Sequence, residues 1–222
     1  FVEGISEAIL LPEIAKILDR PLEKYAVELV NVDSVAFSPF VNLFSSQNVQ
    51  TCFSKVAIVT DDDRCTKKSE TNYINKDFDY DDVNSDISGK LLSGTPSERC
   101  NELETSCRAV GINVFKATKT LEYALCCDEN NIEYFIEAIK SEYSQLGPAL
   151  EQKVNSLHDM NEKAACVWLF IRAREKCKGA IAQYISQIIK KQCEMRKRGE
   201  NIEKEFVIPD YLKEAVYCVT ER

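Results

Sequence analysis

Histidine is almost absent from this sequence, since His158 is the only one among 222 residues. Mechanisms that depend on an imidazole, such as Ser-His-Asp triads, Cys-His pairs and paired histidines, therefore have too few parts. Ten cysteines are present, but no Cys-x-x-Cys pair occurs, so a structural zinc site is not indicated. An enzyme built from this chain would have to use carboxylates, lysines and a metal ion.

Long apolar runs are also missing. No stretch approaches the roughly 20 apolar residues of a membrane-spanning helix, so we expect no membrane association. The cysteines are scattered, and several occupy apolar helical positions, which indicates buried free thiols in a reducing cytoplasm. These are Cys100, Cys107, Cys166 and Cys177. The chain starts without Met inside an apolar stretch, and we expect it to be a piece of a longer protein.

Charge is distributed unevenly along the chain. The net charge is −8, yet residues 163–198 hold ten Lys or Arg against two Glu, which leaves +8 here and −16 elsewhere. A charge run of this kind is often only a solvated helix surface. It is also what a protein needs if it holds phosphates beside clustered carboxylates.

Hydrophobic patterning predicts an α/β fold with a parallel sheet. Apolar segments that end at Val2 and span residues 27–32, 55–60 and 112–118 are typical of strands, and helical patterns lie between them. Residues 64–95 are polar and mostly acidic, and we predict a long loop or mobile insert there. Alternation of strands and helices favours helices on both faces of about four parallel strands.

The second half of the chain is predicted to be almost wholly helical, with a last amphipathic helix after Pro209. We divide the chain into an α/β core in residues 1–130, a helical insert in 131–177 and C-terminal helices in 178–222.

Carboxylates follow two of the predicted strands. Glu3 stands between the first strand and Gly4, with Ser6 as a plausible N-cap of the next helix and Glu7 in its first turn. Asp61 and Asp63 follow the third strand. Because parallel strand ends meet at one edge of a sheet, these groups are expected to converge there. Converging carboxylates repel one another unless a cation joins them, and oxygen-only ligands suit Mg²⁺ or Mn²⁺.

The spacing of the three aspartates predicts their directions. Alternation along an extended chain places Asp61 and Asp63 towards the shared edge and Asp62 away from it. Replacement of Asp62 by alanine would then leave much of any activity intact. A solvated acidic turn could account for the three aspartates alone, but it does not account for Glu3.

The ordered motifs resemble the TOPRIM nuclease domain of the OLD (overcoming lysogenization defect) family, which includes the nuclease subunit of the Gabija anti-phage system. EGISE at residues 3–7 resembles the family's start, and VTDDD at residues 59–63 resembles its aspartate motif. KTLEYAL at residues 119–125 resembles a segment that points to Glu122, and KGAIAQYI at residues 178–185 resembles one that points to Lys178. The closing IPDYLKEAVYCV resembles the family's C-terminal helix.

The resemblance implies a Mg²⁺- or Mn²⁺-dependent DNA endonuclease with a two-metal site. Glu3, Asp61 and Asp63 would hold one ion, Glu7 and Glu122 would help to hold a second, and Lys178 would stabilise charge on the phosphate. Glu122 could instead cap its helix, and Lys178 could be an ordinary surface lysine. DNA would lie along the basic segment at Arg172, Arg174, Lys176 and Lys178.

Proteins of this family carry an ATPase domain, but no Gly-x-x-x-x-Gly-Lys-Ser/Thr motif occurs here. The resemblance therefore implies an ATPase domain elsewhere in the full-length protein. It also leads us to expect a homo-oligomer and a role in anti-phage defence.

Two alternatives stay open at this stage. Haloacid-dehalogenase-type phosphatases also begin with a strand that ends in Asp-x-Asp, but they usually carry Thr or Val at the position of Cys65 and leave Glu3 without a role. A TOPRIM-like module that only binds nucleic acid or a protein partner would keep the fold without the chemistry.

Overall fold

The computed structural model describes residues 1–44 and 55–221, so Cys52 lies outside the described residues. Within these ranges, no helix combines the length and the apolar character needed to cross a bilayer. The four cysteines expected to be buried, Cys100, Cys107, Cys166 and Cys177, are buried.

A short parallel sheet lies at the centre of the N-terminal half. Strands β1 (Ala57–Asp61) and β2 (Asn113–Ala117) pair in register from Ala57 opposite Asn113 to Asp61 opposite Ala117. Val2 extends this arrangement, because it forms parallel bridges to Val59 on one side and to Asn31 on the other. All four predicted strand segments therefore take part in parallel pairing, but among the described residues only β1 and β2 are regular strands. The predicted α/β fold is confirmed.

Helices supply the rest of the regular structure. In chain order they are α1 (Ile5–Ile17), α2 (Ser38–Asn42), α3 (Ser85–Ser93), α4 (Glu98–Ala109), α5 (Leu121–Cys126), α6 (Glu129–Glu142), α7 (Gly147–Ser156), α8 (Met160–Arg172), α9 (Lys178–Arg198) and α10 (Asp210–Thr220).

Both faces of the sheet are covered, as expected for parallel strands. Val2 and Val59 belong to the main core, which also contains the buried side chains of α1 and α10. Ile58, on the opposite face of β1, packs in a smaller cluster with Phe37 and with Leu103 of α4. Because side chains alternate between the two faces along a strand, this packing determines on which side of the sheet each strand-end carboxylate lies.

The prediction of a long loop over residues 64–95 is wrong in its second half. Asn84 caps α3 by accepting a hydrogen bond from the backbone N–H of Ile87 at 3.1 Å. Tyr80, Ile87 and Leu91 are buried, and this part of the chain packs against α8. The acidic composition hid the helical spacing of Ile87 and Leu91, and packing on α8 supplies the stability that composition alone does not show.

The helical second half follows the prediction closely. Breaks occur where Gly147 opens α7 and where Lys178 opens α9, and Pro209 precedes α10. Helix α9 packs along α1, and Arg196 in its last turn donates to the backbone oxygen of Ile17 at the end of α1, so the two helices begin at the same end of the molecule. The side chains of these helices share the main core with the strand residues. The division at residues 130 and 177 stays a prediction.

Candidate active site

Glu3 lies at the end of β1, as its place after Val2 predicts. Its Oε2 atom accepts a hydrogen bond from Thr60 Oγ1 at 2.5 Å and faces the backbone N–H of Asp61 at 3.3 Å. The bridge between Val2 and Val59 holds the two segments side by side. Glu3 is therefore positioned by the sheet itself and not by a flexible loop.

Glu7 follows one helical turn later and is buried. The residue that precedes α1 is Gly4, in an extended conformation, so the expectation that Ser6 caps this helix is wrong. Ser6 is instead a buried residue inside the first turn. This start of the helix directs Glu7 into the protein interior. A carboxylate that served only to cap the helix would instead stay exposed to solvent.

Asp61 and Glu122 meet at the start of α5. Asp61 Oδ1 accepts a hydrogen bond from the backbone N–H of Leu121 at 2.8 Å, which anchors the aspartate to the helix N-terminus. Thr120 is the N-cap of α5 and accepts from the N–H of Tyr123 at 3.3 Å. Because Thr120 already caps this helix, the capping alternative for Glu122 lacks support, and the Glu122 side chain is only 8% exposed.

Lys178 reaches the same cluster from α9. Its Nζ lies 3.7 Å from Glu122 Oε1. The neighbouring carboxylate of Glu122, followed by those of Asp61 and Glu7, raises the pKa of Lys178 despite partial burial. The lysine is thus charged and directed at the carboxylates, which distinguishes it from the other basic residues of its segment.

The carboxylates influence each other strongly. Burial, then the nearby charge of Glu122, raises the pKa of Glu7 to about 7. Burial also raises the pKa of Asp61, and the charges of Glu122, Glu7, Glu3 and Asp63 each raise it further. Asp61 is therefore the carboxylate on which the fields of all the others converge.

Asp63 lies slightly apart and is held by Arg99. The backbone leaves the strand here, since Asp63 has a φ of 52°, and its Oδ2 accepts from Arg99 Nη2 at 2.6 Å. The same Nη2 atom lies 3.9 Å from Glu3 Oε2. Arg99 therefore links Asp63 to Glu3.

Asp62 points away from this cluster, but it is not a solvated residue. It is buried, and its carboxylate accepts from Arg64 Nη2 at 2.6 Å and from the backbone N–H of Lys119 at 2.9 Å. Removal of Asp62 would leave Arg64, whose side chain is 14% exposed, without its carboxylate partner and with only the hydrogen bond from Nη1 to the backbone oxygen of Leu91. We therefore expect Asp62→Ala to lower the stability of the fold, because it removes a buried ionic partner. That the folded variant keeps much of any activity stays a prediction.

The predicted DNA contacts Arg172 and Arg174 have structural roles in this conformation. Arg172 Nη2 donates to the backbone oxygens of Asn75 and Phe78 at 3.0 and 2.7 Å. Arg174 forms a paired contact with both carboxylate oxygens of Asp79 at 2.9 Å. Lys176 is exposed. Whether any of these residues binds DNA stays a prediction.

We expect Arg174→Ala to lower the free energy of unfolding by about 1–2 kcal/mol, because it removes a partly exposed two-point ion pair and the stacking of the guanidinium on Phe170, 3.9 Å from the ring centroid. Urea denaturation would measure this loss. Arg108→Ala is the matched control, since that side chain is 80% exposed and should change stability little. Equal stability of both variants would contradict the structural role.

A divalent ion fits the chemistry of these donors. They are carboxylate oxygens only, and two of them, Glu7 and Asp61, are buried with raised pKa values, which is the condition that a cation relieves. Tyr211 adds a buried hydroxyl that has no hydrogen-bond partner among residues 1–44 and 55–221, and burial, followed by the charges of Asp61, Glu7 and Glu122, raises its pKa. In the described ranges no three acidic, cysteine or histidine side chains are close enough to hold an ion as they stand. Some carboxylates would have to move to close around one.

Three neighbours of the carboxylates were not predicted from the sequence. Thr60 lies within the VTDDD motif of residues 59–63, and Tyr211 lies in the segment that resembles the family's C-terminal helix. Arg99 gave no signal, because it stands in a polar helix far from any motif.

Comparison with known proteins bears on the predicted resemblance. Residues 1–63 match the family model described as Overcoming lysogenization defect protein-like, TOPRIM domain. The predicted OLD resemblance is confirmed. This match includes Glu3, Glu7, Asp61 and Asp63, so the haloacid-dehalogenase alternative loses its support.

Solved structures extend the likeness in fold to nearly the whole chain. The C-terminal region of the Xanthomonas campestris pv. campestris OLD protein is 20% identical, with a TM-score of 0.58 over 99% of this chain and 92% of that one. The C-terminal region of the Burkholderia pseudomallei OLD protein is 17% identical, with a TM-score of 0.54 over 99% and 94%. No curated protein sequence matches the chain significantly. Residues 1–63 are thus similar to an OLD-like TOPRIM domain, and nearly the whole chain shares the fold of OLD C-terminal regions.

Proposed function

We propose that this OLD-like TOPRIM module is a Mg²⁺- or Mn²⁺-dependent DNA endonuclease that hydrolyses phosphodiester bonds. The observation that supports this most is the meeting of Glu3, Glu7, Asp61, Glu122 and Lys178 from four separate segments at the end of β1. Side chains that only cap helices or lie solvated at the surface would not have to converge from separate segments in this way. A catalytically inactive binding module is the outcome that the experiments below would reveal instead.

Carboxylates would hold the ions. We assign Glu3, Asp61 and Asp63 to one ion and Glu7 and Glu122 to a second, and the charges of Glu122, Glu7, Glu3 and Asp63 all act on Asp61. When bound, two ions supply an activated water and charge neutralisation at the leaving oxygen. Thr60 orients Glu3 through the 2.5 Å hydrogen bond, and the N-terminus of α5 orients Asp61.

Lys178 would act on the phosphate itself. Its ammonium group lies beside Glu122 and is partly exposed, so it can face a phosphodiester placed over the carboxylates. A positive charge fixed there before the reaction stabilises the additional negative charge of the transition state. DNA would reach this point across the exposed lysines of the basic segment, beginning at Lys176.

The biological setting follows from the same assignment. We propose that an ATPase domain lies elsewhere in the full-length protein, that the protein forms a homo-oligomer in the cytoplasm, and that it serves in anti-phage defence. Similarity to the Gabija nuclease subunit stays a prediction.

Metal removal is the direct test of this function. We expect supercoiled plasmid to be nicked or linearised with Mg²⁺ or Mn²⁺, to stay intact after exhaustive EDTA treatment, and to be cleaved again once metal is restored, because oxygen ligands of this type bind Mg²⁺ loosely. A small phosphate ester, incubated in parallel, should not be hydrolysed. Full cleavage with no metal restored would refute the proposal, and intact plasmid under every metal condition would favour the inactive module.

A further inference from the structure

Arg99 occupies a position among the carboxylates that a cation would be expected to take. One nitrogen, Nη2, donates to Asp63 Oδ2 at 2.6 Å and to the backbone oxygen of Asp61 at 3.2 Å, and it lies 3.9 Å from Glu3 Oε2. These three contacts come from the segments that carry the first proposed ion. Arg99 thus brings one positive charge within 4 Å of both the Glu3 and the Asp63 carboxylates.

The position is unfavourable for an arginine in two respects. Arg99 lies in the first turn of α4, where the helix dipole favours acidic and not basic side chains. Its other terminal nitrogen, Nη1, is buried and has no hydrogen-bond partner among the described residues. Arg174, by contrast, uses both terminal nitrogens in its contact with Asp79.

We propose that Arg99 is the resident counter-ion of the metal-free site, and that a divalent ion displaces it from Glu3 and Asp63 on binding. The inference rests on the proposed metal site and adds a competitor within the chain to it. Without a cation, Glu3 and Asp63 would repel each other, and Arg99 prevents this. Arg99 is a positioning residue in this account, since it acts through the two carboxylates.

Displacement has a thermodynamic consequence with a definite sign. An interaction that stabilises the metal-free form and is lost on binding must weaken the affinity for metal by the same factor. Removing Arg99 should therefore tighten metal binding and destabilise the metal-free protein. A merely structural arginine would have the opposite effect on affinity, because its loss would misplace Asp63.

Mn²⁺ binding, followed by electron paramagnetic resonance, tests the proposal with Arg99→Gln, Arg99→Lys and the control Arg108→Gln. Arg108 lies on the same helix and is 80% exposed. We expect Arg99→Gln to lower the Kd for Mn²⁺ about tenfold, the effect of losing one charge-assisted hydrogen bond. Arg99→Lys should fall between this variant and the wild type, and Arg108→Gln should equal the wild type.

Thermal unfolding provides the second readout. The midpoint of metal-free Arg99→Gln should fall, and added Mn²⁺ should raise it by more than it raises the wild type. If Arg99→Gln does not fold alone, Mn²⁺ should rescue it. Equal or weaker Mn²⁺ binding by Arg99→Gln would overturn the proposed role of Arg99 but not the metal site. If Arg99→Gln does not fold, failure of Mn²⁺ to restore its folding, together with wild-type affinity for Mn²⁺ in Arg99→Lys, would overturn that role as well. Absence of Mn²⁺ binding in both the wild type and Arg99→Gln would overturn the metal site as well.

Discussion

Asp61→Asn should abolish plasmid cleavage while the protein stays folded. Asparagine keeps an oxygen that can accept from the N–H of Leu121, 2.8 Å from Asp61 Oδ1, so the start of α5 should stay in place. It removes the carboxylate that we assign to the first proposed ion, a group on which the charges of Glu122, Glu7, Glu3 and Asp63 all act. We expect the nicking rate to fall by about 10³-fold or more, at least the loss seen when one preorganised catalytic group is removed.

Single-turnover nicking at saturating Mn²⁺ would measure this loss. Asp86→Asn is the matched control, because Asp86 is a 70% exposed aspartate paired with Lys90 on α3. Circular dichroism should show both variants folded. A folded Asp61→Asn protein that nicks plasmid at the rate of the control would contradict the carboxylate assignment.

Lys178→Ala should slow the chemical step severely while DNA binding survives. The ammonium group is the basic group that lies 3.7 Å from Glu122, and loss of one fixed charge at a phosphoryl transition state typically costs about 3 kcal/mol, or roughly 100-fold in rate. The expected pattern is a low rate at saturating DNA and metal, with nearly unchanged affinity for DNA.

Lys176→Ala is the comparison that isolates this effect. Lys176 is exposed and precedes Lys178 by two residues, so its loss should weaken DNA binding slightly and leave the rate at saturation unchanged. If the two variants behave alike, Lys178 is an ordinary surface charge and the family resemblance does not extend to that position.

Sequence reasoning was sufficient where local pattern and sheet geometry agree. Glu3 and Asp61 follow short apolar segments, and parallel pairing of those segments was enough to predict that they would meet. Lys178 could not be placed in this way, because nothing local connects the start of α9 with β1. The resemblance to the OLD family indicated it, and the packing of α9 on α1 explains why it arrives there.

The remaining differences come from contacts between distant parts of the chain. Helix α3 was missed because packing on α8, and not composition, stabilises it. The sequence predicts that Arg172 and Arg174 contact DNA, whereas in this conformation both side chains pair with residues 75–79. Arg99 could not be predicted at all, since its role depends on a turn at Asp63 that has a positive φ and interrupts the strand.

The central claim is that this edge of the sheet is a divalent-metal site, and direct Mn²⁺ binding by the wild type and Asp61→Asn tests it most directly. We predict saturable Mn²⁺ binding by the wild-type chain, about two ions per chain if the two-metal arrangement holds, and strongly weakened binding by Asp61→Asn under the same conditions. Binding that is identical in the two proteins, or absent from the wild type, would contradict the account.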